Sequence, residues 1–418
     1  MTKPLRPVHF TFTINSFRRA ALPAMLVALV AFAFPSAQSQ TYQVIHRFQA
    51  GDGAGPSAGL TVDAAGRLYG VTGAGGVFNF GTVFKLVRSG SGWTLNTLYS
   101  FRGDNDGVNP VARVTFGPDG ALYGTTLRGG GNGCNGTGCG TVFKLKPPPS
   151  ACKTAICPWN ETILHAFALN DGNSPLGDLI FDVSGNIYGV TSQGGAPNYG
   201  GVVYELTPSG GGWTESILYS FGGSLLNPTA GVIFDKSGNL YGTLGGYGYG
   251  NVFQLTPSAG GWVENTLYGF QGGNDGGYPY GLISDAAGNL YGVTYLSSTG
   301  GGTVFELTPT NGAWTFSVLY SFAVGSGGPV APLTMDKAGN LYGTTYGDGA
   351  YGKGSIFKLT TGAGGWTYAS LHDFTGTNGD GAHPASNVSF DANGNLYGTA
   401  SRGGNGQCDC GLVWEITP

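Results

Sequence analysis

From residue 41 onward, short runs rich in Val, Ile, Leu, Phe, Tyr and Thr alternate with punctuation by Gly, Asn, Asp, Ser and Pro, and no helical apolar period is sustained anywhere. The runs repeat. Leu68-Tyr69-Gly70 recurs at Leu122, Ile187, Leu240, Leu290, Leu341 and Leu396, each followed by Tyr-Gly, in steps of 54, 65, 53, 50, 51 and 55 residues. A Pro-led apolar run and an Asp-x-x-Gly-Asn turn, or a close variant, precede each copy, as in Pro228 to Asn239. A Gly-rich stretch and a run such as Gly81 to Leu86 follow it, then a Trp-led run ending like Leu98 to Phe101. Each unit thus holds four runs: A (Pro-led), B (Leu-Tyr-Gly), C (Val-Phe-Lys-Leu) and D (Trp to Phe). Four short strands per repeat predict an all-β fold, a seven-bladed β-propeller of four-stranded blades.

The two ends of the array complement each other. Thr41 to Phe48 aligns with run D and has no A, B or C before it; Leu412 to Thr417 aligns with run C and has no D after it. An N-terminal outer strand over 41–48 would complete the last blade and close the ring, removing strand edges that invite aggregation. Run A then starts near 56, 110, 175, 228, 279, 329 and 384, and residues 40–418 make one propeller domain. The units resemble the GloVer-type tandem repeats of secreted bacterial proteins over essentially all of 41–418. The A–B part, as in Asp336 to Tyr342, is similar to NHL and gluconolactonase-type propeller repeats. The first resemblance implies a secreted propeller and carries over no catalytic residue. Such proteins often bear a C-terminal sorting or anchoring segment; a chain stopping at Pro418, just after run C, is expected to be released.

The segment before the repeats reads as an export signal. Lys3, Arg6, Arg18 and Arg19 precede an apolar stretch from Ala20 to Phe34, and Ala37-Gln38-Ser39 has small residues where a signal peptidase reads. Residues 1–39 are therefore expected to be a signal peptide and the protein to be secreted or extracytoplasmic, in the bacterial periplasm or outside the cell. An uncleaved anchor is the alternative, although the apolar stretch is short for a span. Removal of the segment changes the net charge from −4 to −8, with 15 basic against 23 acidic residues. With no basic stretch, nucleic-acid binding has no electrostatic footprint. Gly, at 79 of 418 residues, pulls towards disorder, but 41% hydrophobic and 13% aromatic content suffices for a core.

A repeat supplies an internal control: a residue present in most units is scaffold, and an odd residue in a site-facing slot is a candidate. Asp63, Asp182, Asp235, Asp285, Asp336 and Asp391 recur before the A–B turn and read as turn carboxylates. Trp93, Trp159, Trp213, Trp262, Trp314 and Trp366 read as strand-D packing, and Trp414, in a Phe slot of run C, as core. His46, His165 and His372 occupy the slot of Tyr99, Tyr219, Tyr268 and Tyr320, leaving His383 alone outside a repeated slot. A three-His metal site or a Ser-His-Asp site has little material here. Asp-Gly stands in five D–A loops, at Asp52, Asp106, Asp171, Asp275 and Asp380. The densest has Asp104, Asp106 and Asn109 as calcium candidates, but its spacing is not that of an EF-hand, and no cofactor is required. Six cysteines suit an oxidising compartment, with Cys134–Cys139 and Cys152–Cys157 paired within loops. Cys408 and Cys410 form either a third, strained staple or a C-x-C thiol pair.

The candidate ligand site follows from placing run A innermost. The third residue after its leading Pro varies sharply: Gly59, Arg113, Asp178, Gly231, Pro332 and Asn387, beside apolar neighbours such as Val114, Leu179 and Val388. Binding would produce that variation, and so would drift at an uncrowded position. B–C loops on the same face add Phe78, Phe80, Tyr199, Tyr247, Tyr249, Tyr295, Tyr346 and Tyr351, with Arg128 and Arg402. Aromatic faces with a few planar polar groups suit sugar rings, although Tyr also packs down Gly-rich loops. Three functions stand open: a secreted, monomeric binding protein for an extracellular glycan, cell-surface polymer or protein; a lyase or lactonase using Arg113, Asp178 and His383; and a structural envelope protein.

Overall fold

The computed structural model describes residues 40–418 apart from 104, 149–158, 223–225, 247, 298–299, 324–326 and 405–407. The expected export signal, Cys152–Cys157, Asp104 and Tyr247 lie outside the described residues. Seven blades of four antiparallel strands form a propeller ring. In blade 1, Thr61–Val62, Leu68–Thr72, Thr82–Ser89 and Gly92–Ser100 pair in that order, as runs A to D. Burial peaks at the second strand: Thr61–Val62 is half-buried and all five residues of Leu68–Thr72 are buried, whereas Gly92–Ser100 begins by alternating exposed and half-buried positions. Strand B lies between neighbouring blades, so both of its faces are covered and it reads as a continuous apolar run.

The glycine of Leu-Tyr-Gly is there for close approach. A Cβ on Gly70, Gly124, Gly189, Gly242, Gly292, Gly343 or Gly398 would fall 2.2–2.7 Å from the strand-C aromatic opposite, Phe84, Phe143, Tyr204, Phe253, Phe305, Phe357 or Trp414. Trp414 is fully buried in that slot, as is Tyr204. The tyrosine of the motif donates to the turn aspartate: Tyr241 to Asp235 at 3.0 Å, Tyr342 to Asp336 at 3.2 Å, Tyr397 to Asp391 at 3.1 Å. In blade 2, Gly117 replaces that aspartate, and Asp119, two residues on, accepts from Tyr123 at 3.1 Å instead. Each C–D pairing carries a register shift, between Val83 and Phe84 in blade 1 and at the matching place in the other blades. Such bulges add the local twist a blade needs.

Blade 7 closes the ring as expected. Thr41–Arg47 pairs with Leu412–Thr417, Thr41 opposite Thr417 and Arg47 opposite Leu412. The seam to blade 1 is tied by Ser389 Oγ donating to the Leu60 carbonyl at 2.6 Å and by an ion pair between Arg88 and the buried Glu415. Regular pairing in the inner runs is short in several blades, only Thr61–Val62, Thr115–Phe116, Thr334–Met335 and Ser389–Phe390 in blades 1, 2, 6 and 7. Blades 3 and 5 extend it to Asn173–Phe181 and Gly277–Ser284. The segments after the leading prolines converge on the axis, where a Pro has no N–H to give to a ladder.

Candidate functional site

All seven inner segments line one central cavity of about 450 Å³, which contains Gly59, Arg113, Asp178, Gly231, Pro332 and Asn387. Strand A is therefore innermost. The variable slot is not an uncrowded one. A Cβ on Gly59 would fall 1.7 Å from Asn387 Oδ1, one on Gly231 would fall 2.6 Å from the Asp178 carbonyl oxygen, and one on Gly281 would fall 2.4 Å from Pro332. Small residues thus stand beside large ones around the ring, and steric complementarity explains part of the variation. Arg113 and Asp178 are brought together: Nη2 lies 2.7 Å from Oδ2, and the Arg113 N–H donates to Oδ1 at 3.1 Å. Both side chains are about one-third exposed, so the pair contributes of order 0–1 kcal/mol to stability.

The wall below the slot is divided. Blades 3, 4 and 5 present Ile180, Ile233 and Ile283, while blades 1, 2, 6 and 7 carry Thr61, Thr115, Thr334 and Ser389 around a lower pocket that also reaches Arg113. Three of these hydroxyls tie adjacent inner strands: Ser389 to Leu60, Thr334 to the Val388 carbonyl at 2.5 Å, and Thr61 to Val114. The channel is apolar on one side and polar on the other.

His383 does not join Arg113 and Asp178. Its Nδ1 lies 2.9 Å from the Tyr346 carbonyl, and its ring stacks on Tyr346 with centroids 4.6 Å apart, in the seam between blades 6 and 7. Among the described residues, all five exposed aromatics, Phe78, Phe80, Tyr199, Tyr249 and Tyr351, sit on B–C loops, the face shared with the D–A loops. Tyr199 and Tyr249 hold φ of 57° and 77°, a conformation disfavoured for bulky residues. Tyr199 donates to Asn170 Oδ1 at 3.1 Å, and Tyr249 lies over Gly272, so each also packs its loop. Tyr295 and Tyr346 are half-buried; Arg128 and Arg402 are exposed, with Arg402 Nε 3.9 Å from Asp409. Cys134–Cys139 and Cys408–Cys410 are disulfides on this face.

The five Asp-Gly loops share a polar clasp that the repeat slots hinted at. Tyr99 donates to Asp106 at 2.8 Å and Tyr268 to Asp275 at 3.1 Å, while His46, His165 and His372 place Nε2 3.2–3.3 Å from Asp52, Asp171 and Asp380. In this slot the three histidines thus face the same loop carboxylate that Tyr99 and Tyr268 hold. The legible signal was that each falls in a unit whose next loop carries Asp-Gly. For Asp380, burial raises the pKa, but hydrogen bonds from His372, the Thr375 N–H and Tyr42 outweigh it and hold it at about 2. In the calcium-candidate loop, Asp106 accepts from Tyr99 and the Arg102 N–H, and Asn109 gives its amide to the Gly73 carbonyl at 2.6 Å. No cluster of three metal-ligating side chains occurs among the described residues.

The Gloeobacter/Verrucomicrobia repeat matches three overlapping stretches, 30–244, 137–328 and 228–418. The chain belongs to this repeat family. No curated protein sequence matches it. Among solved structures it is similar to an ulvan lyase, a polysaccharide lyase bound to -[GlcA(1-4)Rha3S]-, with 11% identity, TM-score 0.52 and coverage of 89% of this chain and 95% of that one. A candidate 6-phosphogluconolactonase from Bacteroides fragilis gives 14% identity, TM-score 0.51 and coverage of 84% and 98%. The periplasmic gluconolactonase of Pseudomonas aeruginosa gives 14%, 0.49, and 91% and 99%. At these identities the likeness is one of fold. No helix among the described residues of this repeat-family chain is long and apolar enough to cross a membrane.

Proposed function

We propose that this protein is an extracytoplasmic, non-catalytic binding protein whose D–A/B–C face holds a glycan or cell-surface polymer over the channel mouth. The observation that carries the reading is the gathering of every described exposed aromatic on that face, around a channel whose wall is interrupted by Arg113, Asp178 and Asn387. A sugar ring has apolar C–H faces and a rim of hydroxyls, which matches aromatic faces above and a wall split into isoleucine and polar sides. The strained φ of Tyr199 and Tyr249 also favours a functional role over loop packing alone. The disulfides support an oxidising compartment. The lyase or lactonase reading loses support, because His383 is engaged with Tyr346 and Asp178 with Arg113, so these three candidates form no acid–base pair aimed at a common point.

The test is a binding screen of the purified chain against glycans and cell-wall polymers, with Arg113→Ala and Tyr249→Ala as variants. Binding that falls at least tenfold in both variants, with melting temperature nearly unchanged in Arg113→Ala, is the expected result. A folded protein that binds nothing, or variants that bind as wild type, would remove the reading.

A further inference from the structure

On the face of the A–B and C–D turns, most seams between blades are closed alike. The Leu-Tyr-Gly tyrosine of one blade receives, edge-on, the aromatic that ends strand A of the next: Tyr69 and Phe116 at 5.1 Å, Tyr123 and Phe181 at 5.0 Å, Tyr188 and Phe234 at 4.9 Å, Tyr342 and Phe390 at 5.0 Å. The strand-D tryptophan of that next blade often covers the same tyrosine, as Trp159 does for Tyr69 and Trp213 for Tyr123. Blades 6 and 1 put Met335 and Val62 in the strand-A slot, still apolar.

The seam between blades 4 and 5 departs from this. Tyr241 and Trp314 are in place, 6.0 Å apart and edge to face, but the slot holds Ser284, exposed, on a strand A one residue shorter than its counterparts between Pro and Asp. Where the other seams hold an apolar side chain there is a cavity of about 550 Å³, walled by Ile233, Tyr241, Leu290, Pro309 and Trp314 and bordered by Asp235, Lys236, Ser237 and Asp285. The Tyr241 hydroxyl is already engaged, donating to Asp235 and accepting from Gln254 at 2.7 Å, so the walls offer apolar and aromatic surface. At the rim, Lys236 reaches across the seam to the Ala286 carbonyl at 3.4 Å, beside the Ser284 position. Apolar cavities left by a missing ring accept aromatic guests.

The geometry points to a second binding site, in this seam, for a small aromatic compound of benzyl to indole size, its ring in the vacated slot and its polar substituent at the rim near Lys236. The repeat itself defines the occupant, since four other seams place a phenyl ring there. The site lies on the face opposite the one assigned to glycans and does not depend on that assignment.

Saturation-transfer NMR of the full chain with benzyl alcohol and indole tests it, together with intermolecular NOEs from the probe ring to labelled Leu and Ile methyls. Expected are transfer to the ring protons, NOEs to Leu290 and Ile233, and loss of both in Ser284→Phe and in Ser284→Met, which install the residues of the neighbouring seams. Absence of transfer in the wild type, NOEs to other methyls, or undiminished transfer in either folded variant overturns the proposal. The NOEs locate the probe even where neither variant folds.

Discussion

Glu215 lies within the outer strand of blade 3, Gly212–Ser220, with a half-buried carboxyl near His165 and Asp171. Burial is the main reason its pKa rises to about 7, with His165 opposing and Asp171 adding; burial and Asp106 likewise lift Glu161 to about 7. One carboxylate oxygen of each is buried without a hydrogen-bond partner. Between the unfolded value of 4.5 and about 7, the folded chain holds protons that the unfolded chain has released. These two groups therefore make stability fall as pH rises through that window. Glu215→Gln should flatten the fall, so urea midpoints of variant and wild type measured at pH 5 and pH 8 should differ mainly at pH 8. Asp380 works in the other direction: held at about 2 against 3.8, it adds stability above pH 4 that is lost as pH drops towards 2. Asp336 accepts the Ala338 and Asn340 N–H groups, the Asn340 amide and the Tyr342 hydroxyl, all at 2.7–3.2 Å. Asp336→Ala should cost roughly 1–3 kcal/mol in denaturant unfolding, the usual range for stranding such groups, and leave any ligand affinity untouched.

At the level of the blade, strand B is held by contact on both sides, and its glycine decides how close strand C can come. Gly242→Ala would drive a methyl to 2.5 Å from Phe253 and 3.2 Å from Val232. Overpacking of that kind costs about 1–3 kcal/mol, and adding Phe253→Leu should recover part of it, a coupling that a double-mutant cycle of unfolding free energies will read. The strands, their order and the recurrence of Leu-Tyr-Gly were legible because period, punctuation and repeat all agree. The inner strand was less so: its pairing is only two residues long in blades 1, 2, 6 and 7, since the segment past each proline is shaped by its neighbours around the axis rather than by its own pattern.

For the whole molecule, closure is what turns seven repeats into a ring. Thr41–Arg47 covers the outer edge of Leu412–Thr417, so removing residues 40–48 should expose that edge and yield oligomers or aggregates by size-exclusion chromatography. The sequence alone determined the repeat, the number of blades, the strand order and the partner that closes them, because each is a local signal recurring seven times. It also put Arg113, Asp178 and Asn387 in one slot. Only the tertiary structure decided that Arg113 and Asp178 pair with each other, that Gly59 is small because Asn387 lies against it, and that His383 turns to Tyr346. The gap at Ser284 likewise exists only between blades. The reason is physical: a repeat fixes what each unit buries within itself, whereas contacts between units join residues far apart in the chain, and their fit depends on both partners at once.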